Sequence, residues 1–429
     1  MIERLRAAAA LFDFTPRVAA SAEAALATAL PSWHARDAHA FEISAKVTRA
    51  FIDAGLNEGH LTGTTGYGYH DRGREAYEAL FARLMDADAA VARLQLASGT
   101  QAIVVTLSTL LDAGGRLCSA TGRPYDTLRM ALFDHPRSLA ARGVLYDEVP
   151  WSDGDAPAEH DVAAALDRVP DVVFVQRSRG YAPRPSLDVA AIGGIVRAVR
   201  ERAPNAVVVV DNCYGEFVER DEPCAVGADV VVGSLIKNPG GGMAVSGAYI
   251  AGRPEIVERV AERIFAPGLG AAIGPTLDTT RWFFAGLHRA PRAVAESLKT
   301  MDFAAALFAE LGYLTQPACG APRTDIIQAI RLGSPDKLKA FARGLQRTLP
   351  VNSRAMPVPG PVPGYADPVL MADGAFVAGS TLELSCDAPM REPFEVYLQG
   401  GLDAAHGVLA VMSAASAVER ADGGPASAL

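Results

Sequence analysis

Paired cysteines are missing from this chain of 429 residues. Its five cysteines, Cys118, Cys213, Cys224, Cys319 and Cys386, are scattered, odd in number and never in a CxxC pair. That spacing excludes a disulfide framework and a zinc ribbon, and points to a reducing compartment. The eight histidines form no HExxH pair, so a zincin-type metal site is excluded. No run of basic residues relieves the net charge of −9, which argues against nucleic acid as a partner. No window reaches the roughly 18 uncharged apolar residues of a membrane span. The start, MIERLRAAAALFDF, reads as an amphipathic helix with early charges and not as a signal peptide. A Walker loop and internal repeats are also lacking. These absences leave a soluble, cytoplasmic enzyme as the expectation.

What is present is apolar and alternating. Half the residues are hydrophobic, enough for about two large lobes. Near-continuous apolar strands are expected at Val172–Val175, Val207–Val210 and Val230–Val232, with GAYIAG (247–252) as one more strand turning back. A strand is also expected within LQLA (94–97), before a turn and a helix, and another from Leu117. Helical spacing marks KVTRAFIDAGL (46–56), and helices are expected over 74–85 and 192–205. Alternating strands and helices with continuous apolar strands imply a mostly parallel sheet covered on both faces.

Two strand ends carry chemistry. Val230–Gly242 reads VVVGSLIKNPGGG, a buried strand, one lysine and a glycine turn. A lysine there has little reason to be a surface charge. The neighbouring strand VVVV runs into Asp211. We read Lys237 as a Schiff-base lysine and Asp211 as the partner of a pyridinium nitrogen, the combination by which a protein holds pyridoxal phosphate.

Other stretches are open to two readings each. The turn Ser98–Gln101 enters a helix, whose leading N–H groups suit an anion; an ordinary capped helix is the alternative. Tyr125 follows a strand end and could stack on a flat ring or simply pack. Tyr67 and Tyr69 stand in a glycine-rich loop, as surface anchors or as hydroxyls reaching a phosphate. Arg177, Arg179 and Arg184 crowd one loop, either solvated or facing an anionic ligand or a neighbour's acids. GLGAAIG (268–274) loosely matches a dinucleotide fingerprint, but Pro267 precedes it and no buried strand leads in, which excludes the nicotinamide reading.

The segments GYGYHDRGRE, SGTQAI, QRSRGY, DNCYGEF, GSLIKNPGGG, FAPGLG and TLELSCDAPMREPF occur in one order over residues 45 to 410. Together they resemble the methionine γ-lyase–like family, also called aluminium-resistance proteins, within the Cys/Met-metabolism group of pyridoxal-phosphate enzymes. The resemblance implies the aspartate-aminotransferase-like fold type I. Its large domain, over 56–290, would hold a mostly parallel seven-stranded sheet. A helical arm (1–55), a smaller C-terminal α+β domain (291–415) and a frayed tail (416–429) would complete it. It also implies roles. Lys237 would be the cofactor lysine, and Gly99, Thr100, Gln101 and Ser234 the phosphate ligands. Asp211 would pair with the ring nitrogen, Tyr125 would stack on the ring and serve with Lys237 in acid/base work, and Tyr69 would reach the phosphate of a neighbouring subunit. Arg391 would bind the substrate carboxylate, with Tyr67 beside the substrate. The implied reaction is γ- or β-elimination on an amino acid such as methionine, cystathionine or a homoserine derivative, in a dimer with shared sites or a homotetramer. Three positions depart from the family: Gln101 for a histidine, His70 for an acid or amide, and Asp71 for an arginine. Two alternatives stay open. One is a specialised γ-elimination or γ-replacement enzyme acting on an unusual amino acid, such as a halogenated one. The other is a non-catalytic binding protein on the same fold.

Overall fold

The computed structural model describes residues 2–151 and 154–423. The chain divides into two compact units, one of residues 43–290 and one of residues 1–42 together with 291–429. Helices α1 (Ile2–Ala9) and α2 (Pro16–Asp53) come first. Then α3 (Arg72–Leu84), β1 (Ala89–Arg93), α4 (Gly99–Leu110), β2 (Arg116–Ser119), α5 (Asp126–Arg129) and β3 (Leu145–Glu148) follow. They lead into α6 (Glu159–Leu166), β4 (Val172–Gln176), α7 (Val189–Arg202), β5 (Val207–Asp211), β6 (Val230–Ser234), β7 (Ala248–Gly252) and α8 (Pro254–Ile264). The helix α9 (Thr280–Glu310) carries the chain into the other unit. There β8 (Leu314–Gln316), β9 (Ile327–Arg331), α10 (Pro335–Gln346), β10 (Val369–Ala372), β11 (Ser385–Pro389), β12 (Glu395–Gln399) and α11 (Ala404–Ala421) complete it.

In the 43–290 unit, seven strands form one sheet in the order β1-β7-β6-β5-β4-β2-β3. β7 pairs antiparallel with both β1 and β6, while β2 through β6 are mutually parallel. The central strands are runs of valine because both faces are covered. Val173, Val175, Val208, Val209, Val210, Val230, Val231 and Val232 are all fully buried, each worth about 1.5–3 kcal/mol of apolar transfer. Helices start where polar side chains cap them: Asp71 accepts from the Arg74 N–H, Ser98 from Gln101 and Asp188 from Ala191.

The other unit has its own core. Antiparallel strands in the order β10-β11-β12-β9-β8 pack with α10 and α11 around Phe303, Phe308, Phe341, Leu345, Val411 and Met412. The first helices belong to this core: Val18, Leu26 and Trp33 are buried in it. The described residues up to 42 thus belong to that unit, where an arm running to 55 was expected. The expected frayed tail is helical to Ala421, because α11 buries Val411, Ala415 and Val418; the final six residues lie outside the described ones. One expected strand moves. Residues 94–97 lie outside any strand, with the Leu96 N–H on the Arg93 carbonyl, and the strand is the more weakly apolar AAVAR just before it. β1 is found there because it edges the sheet against β7, a contact with no local signature.

Candidate active site

The site gathers at the carboxyl ends of the parallel strands, where open α/β sheets bind ligands. β5 delivers Asp211, β6 delivers Ser234, β4 delivers Gln176, and the segment after β2 delivers Tyr125. Beyond Ser234 the Lys237 N–H returns to the Ser234 carbonyl at 3.4 Å. A short 3-10 turn, Asn238–Gly240, then ends at Gly241 with φ of +52°. The turn seats directly on α9: a Cβ at Gly241 would lie 2.3 Å from the Gly286 carbonyl oxygen, and one at Gly286 2.2 Å from that of Gly240. Backbone this close requires glycine on both sides.

Lys237, Asp211, Tyr125 and Cys213 share one electrostatic neighbourhood. Burial works against charge on Lys237, but Cys213, Tyr214, Asp211 and Tyr125 outweigh it and hold the ammonium well above the usual lysine range. Its Nζ lies 3.8 Å from the centre of the Tyr214 ring. Burial pushes the Asp211 carboxyl above its ordinary value, against the pull of Lys237 and of the Cys213 N–H, which donates to Oδ1 at 3.2 Å. Burial also raises the Tyr125 phenol, Asp211 adding to it, so this hydroxyl stays protonated at neutral pH. Tyr125 is held at both ends: its N–H donates to Gln176 Oε1 at 3.1 Å, and its hydroxyl lies 3.0 Å from Thr100 Oγ1.

α4 begins beside this group. A Cβ at Gly99 would come 3.3 Å from Cys213 Sγ and 3.5 Å from the Ser234 Cβ, so the helix N-terminus abuts both strand ends without a side chain between. Gly99 and Thr100 head the helix. Gln101 is already engaged within the turn, its N–H on Ser98 Oγ at 3.1 Å and its Oε1 accepting from the Ala97 N–H at 2.7 Å. The side chain standing where a histidine was expected therefore closes its own loop.

Tyr67 and Tyr69 are exposed, 77% and 50%, with ring centres 6.0 Å apart. Their loop is fixed from beneath by buried Arg74, which donates to the carbonyls of Gly68, Gly274 and Ala272. Asp71, where an arginine was expected, is a buried helix cap that also accepts from Thr64 and Thr276. Arg391 belongs to the other unit, 3.5 Å from Asp367. The crowded arginines have internal partners. Arg177 is fully buried against Asn212, Glu219 and Glu222, and Arg184 binds the Gln176 and Ser178 carbonyls beneath Trp151. Sequence reasoning did not single out Tyr214, Glu216 or Asn238. The Asn238 Nδ2 donates to the Tyr214 and Glu216 carbonyls at 3.0 and 2.9 Å. The Tyr249 hydroxyl donates to Glu216 Oε1 at 2.7 Å.

This donor set fits pyridoxal phosphate. A carboxylate 5% exposed, with burial raising it, calls for a cation such as a protonated ring nitrogen. A glycine-headed helix N-terminus beside a serine suits a phosphate, and a lysine in the same cluster suits the aldehyde. Among the described residues no group of histidine, cysteine and acidic side chains could hold a metal ion, and no helix is long and apolar enough to cross a membrane.

Comparison with known proteins gives the family. A family model described as methionine gamma-lyase matches residues 18–419. The YnbB protein of Bacillus subtilis is 40% identical over 374 residues, covering 86% of this chain and 89% of that one. The solved structure of a carbon-sulfur lyase involved in aluminum resistance from Clostridium novyi is 34% identical. It superposes with a TM-score of 0.91 over 97% of this chain and 99% of that one. The L-methionine gamma-lyase of Pseudomonas putida is 28% identical over 211 residues, about half of each chain (49%). The chain belongs to the methionine gamma-lyase family and is a pyridoxal-phosphate-dependent lyase of fold type I.

Proposed function

We propose that this lyase breaks the bond between carbon and a heteroatom, sulfur in the first place, at Cγ or Cβ of an L-amino acid. The substrate class is that of methionine, cystathionine and substituted homoserines. The observation that carries the reading is the convergence of Lys237, Asp211, Tyr125 and the α4 N-terminus on one set of strand ends. Pyridoxal phosphate, when bound, supplies an electron sink for the charge left at Cα.

The chain's own residues do the rest. Asp211 would hold the ring nitrogen and keep its proton in place. Gly99 and Thr100, with Ser234, would hold the phosphate, and Gln101 fixes the turn that presents them. Lys237, as free amine, would take the proton from Cα; γ-elimination asks for a second abstraction at Cβ, which is assigned to the same amine. Tyr125 stays a phenol and so suits the donor of a proton to the departing sulfur. Arg391 is assigned to the substrate carboxylate, since a guanidinium matches two oxygens at once. Tyr67 flanks the substrate, and Tyr69 is assigned to the phosphate of a second subunit in a cytoplasmic dimer or dimer of dimers. The exposure of both tyrosines supports that assignment.

The test is chemical. The purified protein absorbs near ~420 nm, and reduction with borohydride followed by peptide mapping places the cofactor on Lys237. A Lys237→Ala variant is colourless. Label on another lysine, or a yellow Lys237→Ala protein, overturns the assignment. Release of ammonia, ketoacid and thiol from a panel of γ- and β-substituted amino acids then identifies the substrate. No release from any member places the substrate outside this class and overturns the reading.

A further inference from the structure

The turn after β5 is held in a conformation that nothing in its own sequence favours. Tyr214 has φ of +72° and Phe217 of +61°, a left-handed backbone that costs a bulky residue on the order of 1–3 kcal/mol. Neighbours enforce it. The Gly215 N–H returns to the Asn212 carbonyl at 3.0 Å, and the Phe217 N–H donates to Glu222 Oε1 at 2.8 Å. The guanidinium of Arg177 packs so tightly on Gly215 that a Cβ there would lie 2.5 Å from it. Above all, Asn238 donates to the carbonyls of both Tyr214 and Glu216. Asn238 is the residue next to Lys237, so the lysine's backbone and the tyrosine's backbone are tied together. The result is the Tyr214 ring 3.8 Å from Lys237 Nζ.

We propose that Tyr214 is a positioning residue whose ring face is the berth of the Lys237 ammonium whenever that amine is not bonded to the cofactor. The inference rests on Lys237 being the cofactor lysine. An elimination needs the displaced amine to stay within reach, carrying its proton, and then to give it up. A ring face holds a cation without taking its proton, because a phenol's π-cloud offers attraction but no strong base. The alternatives are the other groups that face this amine: Asp211 and Cys213 at the end of β5, Tyr125 at the start of α5 and Glu216 two residues beyond Tyr214. With the cofactor bound, Asp211 is committed to the ring nitrogen, and a second carboxylate contact would trap the ammonium. The strain at residue 214 is the cost of aiming a ring there and not a hydrogen-bond acceptor.

Trace labelling of the full-length, cofactor-free chain with acetic anhydride across a pH series, read at residue 237 by peptide mass spectrometry, tests the berth. Tyr214→Gly removes the ring and relieves the left-handed strain, so it is expected to fold. In it the midpoint of Lys237 reactivity falls by about 0.5–1.5 pH units, so below that midpoint labelling is roughly 3–30-fold faster. Tyr214→Phe keeps the ring and stays within about 0.3 unit of the parent. A Tyr214→Gly profile that overlays the parent overturns the proposal, as does a Tyr214→Phe profile that moves as far as Tyr214→Gly. Tyr214→Asn, also tolerant of that backbone, repeats the comparison should the glycine variant not fold. The labelling reads the contact with no cofactor present, so its failure is separate from a failure of borohydride to mark Lys237.

Discussion

Glu216 is the residue most exposed to a change of pH. Its carboxyl is fully buried, Oε1 takes the Tyr249 hydroxyl, and Oε2 has no hydrogen-bond partner. Burial pushes it up to about 8 from an ordinary value of 4.5. The folded chain thus keeps a proton that the unfolded chain releases. Its contribution to stability is complete below about 4.5 and is lost as pH rises through about 8. Between about pH 6 and about pH 8 the parent should lose on the order of 2 kcal/mol more than Glu216→Gln, seen as a steeper fall in melting temperature. Parallel melting curves would refute this. Single residues were legible in the sequence when their chemistry sat at the end of a strong strand: Lys237 and Asp211 follow unbroken valine runs. Tyr214, Glu216 and Asn238 were not, because their roles arise from a left-handed turn braced by groups far off in sequence, such as Arg177 and Tyr249.

At the level of elements, the glycine turn after β6 and the start of α9 act as one part. The Gly240–Gly241 backbone meets Gly286 with no room for a methyl group. Gly286→Ala gains about 1 kcal/mol of helix propensity, yet overpacking against a carbonyl costs about 1–3 kcal/mol and displaces the turn that carries Lys237. Lower cofactor occupancy, measured as absorbance near ~420 nm per chain, is expected along with reduced stability. Occupancy equal to the parent's would show that α9 does not set the lysine. Valine-rich strands β4, β5 and β6 and the reversed β7 were legible from composition alone. β1 was not, since AAVAR owes its strand character to pairing with β7. Nor could spacing reveal that Asp71, where an arginine was expected, caps α3, because the cap is recognised by the Arg74 N–H and two threonines.

For the whole molecule, the assignment of Tyr69 to a neighbour's site makes a prediction no single chain can satisfy. Lys237→Ala and Tyr69→Phe chains, each weak alone, should complement on mixing and re-equilibration. In a random population of dimers about a quarter of sites would combine an intact lysine with an intact tyrosine from the other chain. Recovered turnover approaching that fraction supports sharing; activity equal to the sum of the two variants contradicts it. The antiparallel five-stranded sheet of the other unit was only loosely legible, its strands being short and divided by proline-rich loops.

That same unit is assembled from both ends of the chain. Val18, Leu26 and Trp33 find their apolar partners in Phe303, Leu345 and Val411. On a ribosome, about 250 residues of the intervening unit emerge between the two halves, which at roughly 5–20 residues per second is some ~12–50 s. Throughout that interval the apolar side of α2 up to residue 42 lacks its partners from beyond residue 290, while the intervening unit gains all its strands and can close. Newly made chains therefore carry the first part of α2 uncovered until the segment that begins at residue 291 has left the exit tunnel.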